Sequence, residues 1–513
     1  MSKTISDTLF RLVKSLTKHE KRYFKIYSSL HTVGEKNIYV SLFDAVDKQK
    51  EYNEEVLKKK FSKQASVKQF HVIKSRLYDA ILKSMRVYHS DNSAEAEING
   101  QISNIKFLRE KGLLKECENA IQKAKKLAYK YELYLRVLDL LLLELVLMHF
   151  NRFIGKTEKD LTHLYDEMAI ITNKYTNFLQ YRQLWQRAEL KMSKDGYFLR
   201  NSADEAFYRN IIHDPLMKNE KKALSYRALI IFYENYASHY FIQQKYSQAY
   251  IYNQKCVALM EANVHQIAEN IVTYRFTIVQ SIFLLYKNKK YNEIPLLIKK
   301  FKEIPLKISI KSESVKQRIV ENSIELELDF YIHTGQFEKG MELINNIKLE
   351  FNKMYVNRIA VWYFNFSIIC IGAGNYSAAN KYLNKIFSME EGKVEPVPYC
   401  FAKILSLIVH FELGNQDFLE YAVKSTYRFL YKRKKLYKLE TLILDFIRKD
   451  SPKIDSDKKL KEAFKKLKSN MLNLEKDTFE KAAFDYFDII SWIESKIENR
   501  SFAEVVREKV SGK

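Results

Sequence analysis

The sequence predicts an all-α chain in which helical hairpins stack side by side as an α-solenoid behind an N-terminal helical head. Three observations predict it. The 513 residues include only 12 Gly and 6 Pro, too few breakers for many short elements, so long helices are expected. Strict apolar/polar alternation, the mark of a half-buried strand, is scarce. A helix–corner–helix pattern recurs, with Gly335-Gln336-Phe337 and Gly374-Asn375-Tyr376 as the same corner 39 residues apart. Glycine ends a helix where the backbone needs positive φ, and the aromatic two residues later wedges against the helix before it.

Taken in order, residues 1–90 read as a basic helical head. Thr17-Lys18-His19-Glu20 is a capping box, and the helix behind it puts Phe24, Tyr27 and Leu30 on one side. A short helix from Asn53 to Phe61, a polar turn and a longer basic helix from Val67 to Tyr88 have the order of a helix-turn-helix. Lys68, Gln69, His71, Lys74 and Ser75 would then face a DNA groove; in a plain bundle they are a solvated face. Residues 91–98, small and acidic, are the expected boundary. From 99 to 262 hairpin helices are expected near 99–110, 114–131, 133–150, 158–174, 177–194, 203–212, 220–243 and 247–262, with a looser connection at Asn201–Pro215. The clearest repeats run from 264 to 423. Residues 424–513 form a basic C-terminal cap, with a second basic helix at 458–468, an amphipathic helix near 475–498 carrying Trp492 and Ile493, and a frayed tail.

Corners of the same kind recur at Gly112-Leu113-Leu114 leading to Cys117, at Lys245-Tyr246 leading to Ala249, at Lys290-Tyr291 leading to Ile294, and at Gly414 to Phe418 leading to Ala422. The aromatics at 246, 291, 337, 376 and 418 are 45, 46, 39 and 42 residues apart. The order Gly-x-aromatic-x-x-small resembles the turn of the tetratricopeptide repeat, whose unit is about 34 residues. Gly340 and Ala379 stand at its small position; the full Trp-Leu-Gly-Tyr signature and the closing Pro are absent. The resemblance implies a right-handed superhelix that holds an extended peptide in a concave groove. By register the groove would include Glu325, Asp329, Phe364 and Ile368. None of these is the lysine of the carboxylate clamp in the chaperone-binding branch, so a different peptide is implied.

The formal charge is +24, and it is concentrated. Residues 1–90 hold 19 Lys/Arg against 9 Asp/Glu and residues 424–471 hold 16 against 6, a net +10 each. Such fields draw anionic partners. Within the second, Arg428, Lys432, Arg433, Lys435 and Lys438 alternate with Phe429, Tyr431, Leu436 and Tyr437, a combination that can neutralise phosphates and stack bases. An acidic protein surface, or water alone, would also satisfy it.

Nothing points to catalysis. Gly372-Ala373-Gly374 with Ala378 matches part of a dinucleotide fingerprint but follows a helix where a strand is required. There is no P-loop lysine motif, no His-x-x-x-His pair and no nucleophile elbow. The four cysteines are scattered, giving neither a disulfide framework nor a zinc site. The apolar run at 133–150 contains Arg136, Asp139 and Glu144, so a buried helix is expected there and not a membrane span; the first residues lack the pattern of a secretory leader. The expectation is a non-enzymatic cytoplasmic scaffold, without cofactor or metal, that binds a peptide or an acidic protein surface. The alternative is a nucleic-acid-associated protein, a transcription regulator or an RNA/ribosome-associated factor, using the two basic regions.

Overall fold

The computed structural model describes residues 7–30, 38–62, 67–90, 93–195, 199, 201–308, 310, 313–347, 356–389, 396–433, 436–477, 480, 484 and 486–512. Among them there is no strand. The chain divides into two compact units, Met1–Thr172 and Asn173–Lys513.

In the first unit, α1 (Thr8–Ser15), α2 (Lys18–Leu30), α3 (Ile38–Lys48), α4 (Glu54–Phe61) and α5 (Val67–Tyr88) each contribute apolar residues at helical spacing to one cluster. It includes Val13, Phe24, Leu42, Phe43, Leu57, Leu77 and Ile81. The capping box at the start of α2 forms as expected: the Thr17 amide donates to Glu20 Oε2 at 2.7 Å and the Glu20 amide to Thr17 Oγ1 at 3.2 Å. Next come α6 (Ala94–Glu110), α7 (Leu114–Lys130) and α8 (Tyr134–Phe150), with α7 packed on α6 and α8 on α7. The acidic residues from 94 onward belong to α6 and not to a linker. Ser93 caps the helix by accepting from the Ala96 amide, and Ile98 is fully buried. The two helices expected at 158–194 are one 38-residue helix, α9 (Glu158–Asp195), because no Gly or Pro interrupts it.

The second unit continues with α10 (Ser202–Ile212), α11 (Tyr226–Ile242), α12 (Tyr246–Ala262), α13 (Val264–Glu269), α14 (Ile271–Lys287), α15 (Ile294–Lys302), α16 (Ile304–Lys307), α17 (Glu313–His333), α18 (Phe337–Asn346), α19 (Val356–Gly372), α20 (Tyr376–Phe387), α21 (Pro396–Glu412) and α22 (Gln416–Lys432). Within this series the return helices α12, α15, α18 and α20 pack on the first helices α14, α17, α19 and α21 of the next hairpins. The first helices also touch one another, α14 on α17, α17 on α19 and α19 on α21. The core passes along accordingly. Leu326 of α17 belongs to an apolar cluster reaching back to Phe178, while Leu328, on the same helix, belongs to one reaching forward to Val506.

One corner geometry joins these helices. At residues 112, 132, 152, 244, 289, 335, 374 and 414 the backbone is left-handed, with φ between +50° and +74°. At each, that residue's amide bonds the carbonyl three back and the next amide bonds the carbonyl five back, as in Gly335 to Ile332 and Gln336 to Tyr331. This is the Schellman closure, which satisfies helix-end carbonyls. At seven of the eight the following residue takes φ −80° to −93° and ψ 50° to 69° and caps the next helix. Four residues after that cap the chain buries Cys117, Val137, Ala249, Ile294, Gly340, Ala379 or Leu419. The last corrects the register at Gly414, where Leu419, not Ala422, occupies the contact position. Phe337 is fully buried, and Tyr291 and Tyr376 are half-buried.

The small positions are required by contact. A Cβ on Gly340 would lie 2.5 Å from Ile369 Cδ1, and one on Gly372 would lie 2.3 Å from the Phe337 ring. The dinucleotide-like glycines are therefore accounted for by packing at Gly372 and by positive φ at Gly374.

The C-terminal region is α23 (Lys438–Asp445), a π-turn at Phe446–Asp450, α24 (Asp457–Glu475), α25 (Ile489–Glu498) and α26 (Phe502–Ser511). The amphipathic helix expected at 475–498 is thus shorter, and the tail expected to fray is a capped helix docked on the repeats. Ser501 and Glu504 form its capping box. The Phe502 ring lies 5.4 Å from that of Phe337, and Arg507 Nε donates to the Gly335 carbonyl at 2.8 Å. From α25, the Trp492 indole and the Lys496 ammonium both bond the Glu412 carboxylate, each at 2.6 Å.

Candidate functional site

Two surfaces of the second unit collect the chemically distinctive side chains. The first lies along the first helices α14, α17 and α19. Arg275 Nη1 donates to Asn322 Oδ1 at 2.7 Å, and Arg358 Nη2 donates to the same oxygen at 3.1 Å and to Glu325 Oε2 at 3.0 Å. Arg358 Nε is 3.3 Å from Glu321 Oε2. The Trp362 indole donates to Glu325, and Asn365 Nδ2 to Asp329 Oδ1 at 3.1 Å. These residues recur at i, i+3 and i+7 on α17 (322, 325, 329) and at i, i+4 and i+7 on α19 (358, 362, 365), so each set occupies one helix face.

Trp362 and Glu321 are buried and the other members of this ladder keep only a minor part of their surface exposed, so the surroundings are dense enough to perturb ionisation. Burial, reinforced by the charge of Glu325, raises the Asp329 carboxyl to about 7. Burial also raises Glu325, opposed by Arg358. Arg275 is pushed down by burial and by the charges of Arg358 and Arg318. Low local polarity makes both acids easier to protonate and strengthens the hydrogen bonds that hold them.

Of the four groove positions expected, Glu325 and Asp329 belong to this ladder. Phe364 and Ile368 do not: both are buried in the apolar core. The register on α19 is one position out, because Asn365 and not Phe364 faces α17. Arg275, Asn322, Arg358 and Asn365 went unrecognised in the sequence. The available signal was an arginine or amide in the mostly apolar α14 and α19; in α17, rich in charged residues, Asn322 carried none.

The second surface is on α22. The basic-aromatic stretch is not one helix. Arg428, Tyr431 and Lys432 occupy the last turns of α22, Arg433 follows it, and Lys438 begins α23. Lys435 lies outside the described residues. Arg433 stacks on Phe429 at 3.8 Å, and Lys438 Nζ bonds Asp477 at 2.7 Å. Arg428 and Lys432 are exposed.

In the first unit the helix-turn-helix reading loses a cation. Lys74 is buried against α4, bonding Glu54 Oε2 at 2.5 Å and the Tyr52 hydroxyl at 2.9 Å. Burial alone would raise Glu54, but the hydrogen bonds from Lys74, Tyr52 and Lys58 outweigh it and hold that carboxyl down at about 2. Gln69, His71 and Ser75 are exposed, and the side chain of Lys68 lies outside the described residues.

The four cysteines are buried and unpaired. Among the described residues no group of three or more His, Cys, Asp and Glu is placed to hold a metal ion, and no helix is long and apolar enough to cross a membrane. Comparison of the chain with protein-family models, with curated proteins and with solved structures finds no match.

Proposed function

We propose that this protein is a non-enzymatic, cytoplasmic interaction scaffold, a tetratricopeptide-like α-solenoid whose first helices hold an extended peptide. The observation that carries the reading is the polar ladder from Arg275 through Asn322, Glu325 and Asp329 to Arg358 and Asn365. It crosses three successive first helices and keeps an edge in contact with solvent, with the Arg358 and Glu325 side chains 22% and 19% exposed. An asparagine amide donates and accepts at once, as a peptide unit does. Asn322 and Asn365 on neighbouring helices are therefore matched to main-chain groups of an extended segment. The arginines and carboxylates alternate along the ladder, so it selects side-chain charge by position and not by overall sign.

Selection of displayed random 12-residue peptides on the full chain tests the idea. The expected result is a consensus that Asn322→Leu and Asn365→Leu abolish while both variants keep the wild-type helical circular-dichroism spectrum at the assay temperature, although their melts are lowered by the lost bonds to Arg275, Arg358 and Asp329. Failure of the wild type to enrich any sequence refutes it, as does a consensus that both variants retain.

A further inference from the structure

We propose that the last three turns of α22 form a binding face for single-stranded nucleic acid. This does not rest on the peptide reading, since it uses a different helix and different chemistry. The buried seam of α22 is filled by Leu419, Val423, Thr426 and Leu430. What remains is unusual. Tyr421, Tyr427 and Tyr431 are 74%, 43% and 68% exposed, although a tyrosine body normally gains by burial. Tyr427 and Tyr431 lie one turn apart with ring planes within 8° of parallel and centroids 6.1 Å apart. Their planes are therefore nearly parallel, and both rings are open to solvent.

Cations run beside the rings. Lys424, Arg428 and Lys432 are all exposed, and no carboxylate occurs between Tyr421 and Lys432. Among the described residues Arg428 and Lys432 have no ion-pair partner, while Lys424 pairs with the flanking Glu420 on a highly exposed edge. A shallow depression beside them is lined by Val423, Lys424, Tyr427, Arg428, Leu444, Asp445 and Arg448. Its single acid, Asp445, is already bonded to Arg448 and Lys449.

Cations at a helix C-terminus suit the helix dipole, so charge alone would not single out a ligand. The rings decide. An acidic polypeptide needs only the cations, whereas a single strand presents a base face and a phosphate at every nucleotide, which exposed tyrosines and cations on adjacent rails of one helix match. Arg428 and Lys432, about 6 Å apart along the axis, would bind the backbone while Tyr427 and Tyr431 stack bases.

The test is fluorescence anisotropy of the full chain with fluorescein-labelled 20-residue oligouridylate and oligothymidylate, and with polyglutamate of matched charge, from 50 to 300 mM KCl. The oligonucleotides are expected to bind with affinity falling steeply in salt. Arg428→Glu with Lys432→Glu is expected to weaken them at least about tenfold and to flatten the logarithmic salt slope by about 1.4, the share of two phosphate contacts on a single strand. Tyr427→Ala with Tyr431→Ala is expected to weaken them about fivefold or more with the slope unchanged. All four positions are surface positions, and an unchanged melt shows that the variants fold. Three results would overturn the proposal: no oligonucleotide binding at 50 mM KCl, binding insensitive to the tyrosine pair, or polyglutamate bound as tightly and with the same response to that pair.

Discussion

Replacing Gly335 and Gly374 by alanine, one at a time, separates what a corner costs from what docks on it. Both glycines are left-handed, with φ of +66° and +73°, so a side chain at either adds backbone strain of about 1 kcal/mol. They differ in what a Cβ meets. At Gly374 nothing lies within 4 Å, whereas at Gly335 the new atom falls 2.9 Å from the Ala503 carbonyl oxygen and 3.0 Å from Arg507 Cγ. The oxygen is backbone, so relief requires α26 to move. That helix holds Phe502, Ala503, Val505 and Val506 buried. At about 1.5–3 kcal/mol for each of the larger three, complete undocking is far dearer than distortion. The cheaper response is a small displacement, which lengthens the 2.8 Å bond from Arg507 to the Gly335 carbonyl and loosens the Phe337–Phe502 contact, for about 1–2 kcal/mol. Gly335→Ala should therefore lose about 2–3 kcal/mol and Gly374→Ala about 1, read from urea midpoints followed by circular dichroism. Limited proteolysis should cut faster around Asn499 only in the Gly335 variant. Equal losses, or equal cleavage, would refute the docking argument.

Other expectations follow from single contacts. Gly372→Ala must push the fully enclosed Phe337 ring aside and should cost about 1–3 kcal/mol of overpacking in the same unfolding assay, more than Gly374→Ala. Asp329 is protonated more readily when folded than unfolded, so the folded state binds the extra proton between pH 3.8 and about 7, and stability falls as pH rises through that window. Asp329→Asn, which can still accept from Asn365, should stabilise the protein by up to about 4 kcal/mol above pH 7, less in proportion to its partial exposure, and by almost nothing below pH 4. Urea unfolding at pH 5, 6, 7 and 8 should show the gain growing; a gain independent of pH would count against the burial argument. Glu54 has the opposite sign. With its carboxyl held at about 2, it contributes about 3 kcal/mol above pH 4.5 that disappears as pH falls toward 2, and Glu54→Gln should flatten the acid limb of the unfolding curve.

How far this molecule could be read from its residues depended on whether a feature leaves a local mark. The corners at Gly112, Gly335, Gly374 and Gly414 were visible because positive φ favours glycine. Gln244 and Lys289 take φ of +58° and +56° without it, and those corners were found only through the tyrosines that open the next helices. At Glu132, which takes φ of +51° without a glycine, the helix break at 131–133 was legible but not its kinship with the other corners. The capping box of α26 was in plain view at Ser501 and Glu504, yet a terminal position suggested fraying. The ladder was hidden for another reason. Which side of α19 faces α17 is decided by packing, and a rotation of one residue exchanges Phe364 for Asn365. Nothing local records that choice. The exposure of the α22 tyrosines was equally invisible, because it follows from Leu419, Val423 and Leu430 having taken the seam first.

The positive charge of the C-terminal region resolves into two populations once its neighbours are known, and only one is free to act. Lys496 shares the Glu412 carboxylate with the Trp492 indole, and the two charged side chains are 24% and 9% exposed. Removing that lysine would leave a largely enclosed carboxylate underpaired, which costs several kcal/mol, so this cation belongs to the attachment of α25. Lys468 and Lys509 converge on Glu494, itself 14% exposed, and do the same. Lys438 is different: its pair with Asp477 is 66% exposed on the lysine side, worth under about 1 kcal/mol and readily exchanged for a phosphate. Arg428 and Lys432 hold no such pair among the described residues. Salt should sort the two groups. Raising KCl from 50 to 300 mM shortens the screening length to below about 10 Å and should strip ligand from α22 while leaving the thermal melt nearly unchanged, because Glu412 and Glu494, the carboxylates that Lys496, Lys468 and Lys509 share, are enclosed. A melt that fell in step with ligand release would mean that the same charges serve both purposes, and the division drawn between Lys496 and Arg428 would be wrong.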